Sequence, residues 1–172
     1  MLVNHYKFFL KYTFSTLFFM ILVTHVTFAV LICLVFRIPL DFGIVLGSTL
    51  PDIDYPYSYI GQVFSPISEF INKKFGHRSI THSLYWALLL GVLTLVSTPK
   101  LLTLFIGYTS HILLDLFTNQ GVKLIYPYNF TFVLFDGPVE TGSRTDKMLA
   151  VLFAVLCILI PFILGYFPNL TI

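Results

Sequence analysis

Hydrophobic and polar residues are segregated along this chain in long blocks. From Phe8 to Phe36 the sequence is apolar almost throughout, interrupted by Lys11 and His25. A run of about 18 or more apolar residues marks a spanning helix, so 8–36 is predicted to span. Lys7 and Lys11 resemble the n-region of a signal peptide, but the run that follows is too long for one and lacks an A-x-A-like cleavage site. After a turn at Arg37, Ile38 and Pro39, the apolar piece Leu40 to Leu50 has about 11 residues, too few to cross a bilayer. The segment 40–54 is therefore predicted to be a re-entrant helix that stops in the turn PDID. Irregular backbone at that depth is tolerated only where protein or a water-filled cavity surrounds it.

Over 59–75 the apolar residues Ile60, Val63, Phe64, Ile67, Phe70 and Ile71 recur near helical spacing, with Gln62, Glu69, Asn72, Lys73 and Lys74 between them. This pattern predicts an amphipathic helix lying at the membrane interface. Further spans are predicted over 79–97, which stops before Pro99, and over 101–117. Residues 118–145 form a polar, proline-containing connection on the cytoplasmic side, with Val122–Tyr126 and Phe130–Phe135 as short-strand candidates. A last span covers 146–167. The predicted fold is all-α: a polytopic membrane helical bundle of about four full spans, with a short re-entrant helix and an interfacial helix, 1–172 forming a single integral membrane domain.

Composition agrees. Of the 172 residues 57% are hydrophobic and 10% charged, with mean hydropathy +0.88, whereas soluble domains carry about 25% charged residues. The net charge of +2, with no basic patch interleaved with aromatics, argues against a nucleic-acid partner. Cys33 and Cys157 lie inside apolar runs and offer neither a disulfide framework nor a CxxC site. With the N-terminus in the cytoplasm, Lys7, Lys11, Lys73, Lys74, Arg78, Lys123, Arg144 and Lys147 fall on the inner side, and Arg37 and Lys100 on the outer. That bias sets the orientation.

Ionisable residues inside apolar segments are the feature that calls for chemistry. At 1.5 Å per helical residue, His25 lies about 18 Å from the outer turns, Asp52 about 20 Å, His82 about 25 Å and His111 about 17 Å. Four segments thus bring polar groups to one band in the inner half of the hydrocarbon core. Such groups are costly in lipid and normally face the bundle interior, paired or liganded. Asp52 and Asp54 sit in one turn, His77 and His82 flank a helix start, and His111 and Asp115 share a helix face at i, i+4. Imidazole and carboxylate are metal ligands, so His25, Asp52, Asp54, His77, His82, His111 and Asp115 form a candidate metal pocket. Asp146, at the start of the last span, either reaches that pocket or caps its helix.

The donor set suits one or two divalent ions, zinc first, with manganese or iron as alternatives. No GxSxG-type nucleophile is present, which leaves a metal-activated water, with Asp54 or Asp115 as general base. Arg78, with Ser83 nearby and Arg144 and Lys147 further on, either holds an anionic substrate such as a phosphate or reflects positive-inside topology.

The elements TH at Thr24–His25, LPDIDYPYSYIGQ at Leu50–Gln62, GHRSITHS at Gly76–Ser83 and SHILLDLFTNQGVKLIYP at Ser110–Pro127 resemble the YdjM-like family of bacterial inner-membrane proteins, described as metal-dependent hydrolases. The resemblance implies a multi-span helical protein of the bacterial inner membrane, with metal held by His25, Asp52, Asp54, His77, His82, His111 and Asp115. Where the family usually has Glu at the start of the last helix, this chain has Asp146. The function expected is a membrane-embedded metal-dependent hydrolase acting on a phosphoester, a lipid or a lipid-linked phosphate at the cytoplasmic leaflet. The alternatives are a small ion- or proton-coupled transporter, or a metal-binding membrane protein without hydrolase activity. No internal repeat of the kind common in transporters is present.

Overall fold

In the computed structural model, residues 22–96 and 100–166 are described. The start of the first apolar run with Lys7 and Lys11, the break at Pro99 and the end of the last run lie outside the described residues. Within them the helices are α1 Leu22–Val35, then α2 Phe42–Thr49, α3 Tyr59–Val63, α4 Ser65–Phe75, α5 Leu84–Val96, α6 Lys100–Leu116 and α7 Arg144–Ile163. Short 3-10 turns cover Leu50–Asp54 and Ile80–His82.

The described residues are helical without a strand. The two strand candidates meet only as the isolated bridge between Val122 and Phe132, too short a pairing to hold a sheet. One helix, Arg144–Ile163, is long and apolar enough to cross a membrane, while the other apolar helices are shorter in their described parts. The stretch 59–75 is two helices, broken at Phe64 (φ −110°, ψ 41°) just ahead of Pro66 at the start of α4. Proline suits a first helical turn and cannot continue a helix already under way, so the break falls there.

The burial pattern is inverted relative to a soluble domain. His82, His111, Asp54 and Asp115 are among the largest fully buried side chains, while Leu95 is 85% and Ile163 75% exposed. Polar groups line the inside and hydrocarbon faces out, as a lipid solvent requires.

Two helix pairs run in the same direction. Thr24 Oγ1 donates to Asp146 Oδ1 at 2.8 Å, Phe28 meets Phe153 with ring centroids 5.1 Å apart, and the Arg37 guanidinium donates to the Leu164 carbonyl at 3.0 Å. Residue numbers rise together along α1 and α7, so the two helices are parallel. In the second pair, α2 and α6 touch at glycines. A side-chain carbon on Gly107 would lie 2.7 Å from Ser48 N, and one on Gly47 would lie 3.0 Å from Tyr108 N. Small residues let helix backbones approach this closely in membranes. That approach sets α2, and the Leu50–Asp54 turn after it, against the inner half of α6. Asp41 anchors the start, accepting from Gly43 N at 2.7 Å and from Thr103 Oγ1 at 2.5 Å.

Candidate metal centre

The turn after α2, the turn before α5, the face of α6 and one residue of α1 converge on a single cluster. Asp115 Oδ2 lies 3.2 Å from His82 Nε2 and 3.6 Å from His111 Nε2. Asp52 Oδ1 lies 3.6 Å from His111 Nε2 and 4.0 Å from His82 Nε2. An ion about 2.0–2.2 Å from each of four tetrahedral ligands separates them by about 3.3–3.6 Å. Asp52, His82 and His111 are close enough to share one ion, and Asp115 Oδ2 lies beside them.

Hydrogen bonding strengthens the fit. His82 Nε2, His111 Nε2 and Asp115 Oδ2 are buried without a hydrogen-bond partner, which is costly for polar atoms unless something else binds them. The far side of each ring is engaged. His111 Nδ1 lies 2.6 Å from the Ser48 carbonyl. A carbonyl only accepts, so Nδ1 carries the proton and Nε2 presents its lone pair to the cluster. His82 Nδ1 lies 3.2 Å from Asp54 Oδ2, and an ionised Asp54 assigns that ring the same tautomer. These are the outer contacts by which metal-ligating histidines are commonly oriented. Asp115 repeats the arrangement: Oδ1 accepts from the Arg78 guanidinium at 2.7 Å, and Oδ2 faces inward.

Asp54 occupies a supporting position. Its Oδ1 lies 2.6 Å from His77 Nδ1, and its Oδ2 accepts from Arg78 N at 3.0 Å and from Thr81 Oγ1. Asp52 is the more accessible of the two, its side chain 21% exposed against none for Asp54.

His25 borders the cluster, stacked on His111 with centroids 3.8 Å apart and Nε2 3.7 Å from Asp115 Oδ1. His77 stands at the edge, stacked on Tyr55. Three groups have ligand atoms close enough to share an ion: His25, His111 and Asp115; Asp52, His82 and His111; Asp52, Asp54 and His77. Asp146 is in none of them. Its oxygens accept from Thr24 Oγ1 and from Gly142 N, each at 2.8 Å, while Ser143 caps α7, so it latches the start of α7 onto α1. Ser83 Oγ donates to the Ile80 carbonyl at 2.8 Å, and Arg144 and Lys147 are exposed.

Arg78 holds the site together. It adopts the left-handed backbone region (φ 57°), which costs a non-glycine residue about 1 kcal/mol or more. Its N–H thereby reaches Asp54 while its guanidinium bonds Asp115, Thr118 and Thr141. The connection 118–145 helps, since Lys123 N donates to the Arg78 carbonyl and Leu84 N to the Leu124 carbonyl. Ser48, Thr81 and Thr118 were not singled out by the sequence. Ser48 acts through its carbonyl, which every residue has, and nothing in the sequence marks it.

Fold and centre together define a helical membrane protein with a buried His/Asp cluster able to hold a metal ion. The chain belongs to the YdjM inner membrane protein family, whose model matches residues 20–167. It is 33% identical over 125 residues to inner membrane protein YdjM of Escherichia coli (strain K12), covering 68% of this chain and 64% of that protein. It is 35% identical over 107 residues to a Bacillus subtilis (strain 168) protein named uncharacterized protein YvsG, covering 60% and 66%. The chain thus spans about two thirds of the length of the curated relatives it matches. No solved structure matches it.

Proposed function

We propose that this protein is a metal-dependent hydrolase of the bacterial inner membrane that cleaves a phosphoester, in a lipid or a lipid-linked phosphate, at the cytoplasmic leaflet. The observation that carries the reading is the convergence of His82 Nε2, His111 Nε2 and Asp115 Oδ2, buried and without hydrogen-bond partners, on a partly exposed carboxylate, Asp52.

Asp52, His82 and His111 would hold one ion, with zinc the best match to two imidazoles and a carboxylate and a fourth position left for water. Bound there, it would supply a water of lowered pKa and polarise the scissile group. The chain's own residues do the rest. Asp54 and the Ser48 carbonyl keep His82 and His111 in the ligating tautomer. Arg78 neutralises Asp115 and brings positive charge near an anionic substrate. Asp115, whose Oδ2 faces inward beside both imidazoles, would take a proton from the attacking water. With Asp54 spent on His77, Thr81, Arg78 and His82, one ion is favoured over two.

The topology that goes with this reading has about four spans, with the N-terminus in the cytoplasm and α4 on the inner surface. Positive-inside counting supports it, as does the parallel course of α1 and α7. The deciding experiment is elemental analysis of the purified protein with a phosphoester hydrolysis assay. About one equivalent of a transition metal, lost with activity in Asp52→Ala and His111→Ala, is expected. Full metal content in both variants would sink the assignment, and metal without hydrolysis would leave a metal-binding protein or a transporter.

A further inference from the structure

An open cavity of about 450 Å³ adjoins the centre, lined by α1, α6, α7 and the loop at Pro138–Thr141. That volume is in the range of small-ligand sites. Its wall changes character along its length. At one end stand His25, Asp115, Thr118, Thr141 and the Thr24–Asp146 pair; at the other stand Phe28, Leu114, Leu149 and Phe153. Because α1 and α7 run parallel, this gradient follows the helix axes. The Thr24–Asp146 hydrogen bond lies at the start of α7, and the Phe28–Phe153 contact one to two turns deeper. Polar end at the membrane face and hydrocarbon end toward the middle is the order of a lipid in one leaflet.

Two further observations bear on the occupant. His25 Nδ1 is buried without a hydrogen-bond partner in a residue lining this cavity, so its polar end has bonding capacity that an apolar occupant alone would leave unmet. Of its two carboxylates, Asp115 is paired with the Arg78 guanidinium, and Asp146 accepts from Thr24 and Gly142 N.

We propose that this cavity seats the hydrocarbon tail of the substrate, so that the centre acts on an anionic amphiphile whose head reaches His25 and Asp115 while its tail lies among Phe28, Leu149 and Phe153. The inference rests on the hydrolase reading above and deepens it. It makes Leu149 and Leu114, which line the apolar end of the cavity and hold no metal, residues that set tail specificity.

The test uses the full chain in phosphatidylcholine nanodiscs, with Trp86→Phe and Phe153→Trp combined so that the cavity carries the single tryptophan. The probe is 12-bromododecyl phosphate, whose bromine quenches tryptophan on contact. Saturable quenching is expected, competed by dodecyl phosphate and not by inorganic phosphate. It should weaken about tenfold when Leu149→Phe or Leu114→Phe fills the cavity, with metal content unchanged as the check on folding. A reporter at Leu152, on the exposed face of α7, should show quenching that rises with probe without saturating. Non-saturating quenching at position 153 as well, or insensitivity to both filling variants, would overturn the tail site. The two readings fail separately. Metal-dependent hydrolysis of p-nitrophenyl phosphate without saturable quenching removes the tail site alone, and saturable quenching in a protein without metal removes the hydrolase alone.

Discussion

Asp54 Oδ2 stands 3.2 Å from His82 Nδ1, on the side of the ring opposite the His/Asp cluster. The carboxylate assigns the ring proton to Nδ1 and turns the Nε2 lone pair toward Asp115 and Asp52. In Asp54→Asn the amide can donate to Nδ1 and release the opposite tautomer. Metal affinity should fall about 10- to 100-fold with the ligands intact, measured by competition with a chromophoric chelator. An unchanged affinity would remove Asp54 from this role.

Asp146 should behave in the opposite way. Asp146→Ala removes the Thr24 bond and the bond from Gly142 N, costing about 1–2 kcal/mol of stability. Metal stoichiometry should stay at the wild-type level. Loss of metal together with a normal melting temperature would instead make Asp146 a ligand.

The glycine contact between α2 and α6 should control the centre from a distance. In Gly107→Val the new side chain meets Ser48 N and the Ile44 carbonyl, forcing the helices apart and drawing the Ser48 carbonyl from His111. Bound metal should drop although no ligand is altered, while Leu95→Ala on the exposed face of α5 should leave it intact. Equal metal content in the two variants would separate helix packing from metal binding.

Removing the ion should destabilise the folded protein, because its buried ligands lose their common partner. With free metal at about 1,000 times its dissociation constant, binding contributes about 4 kcal/mol. Chelation should therefore lower the unfolding temperature, and re-addition should restore it. A melting curve unmoved by chelator would mean that the cluster holds no ion.

Orientation is open to cysteine labelling in a Cys33→Ala, Cys157→Ala background. Lys74→Cys on α4 should be protected from an impermeant maleimide added to intact cells, and Arg37→Cys should react. The reverse pattern would invert the topology inferred from basic residues.

Much of this protein was legible in its sequence because the physical signals are local. Long apolar blocks declare a membrane solvent, and a piece as short as Leu40 to Leu50 must stop inside the protein. The i, i+4 spacing places His111 and Asp115 on one face of α6 without any tertiary information. The residue types of the His/Asp cluster were legible for the same reason, since buried charge in lipid needs a partner. The division of labour among them was not. Asp52 and Asp54 are two residues apart in one turn and chemically identical. Only the packing of the Arg78–His82 turn against them makes one a support and leaves the other facing the cluster. The tautomer of His111 depends on a carbonyl 63 residues away, brought there by two glycines whose significance appears only once α2 and α6 touch. Hydrogen-bond direction and ring orientation are properties of juxtaposition, so the tertiary structure decided them.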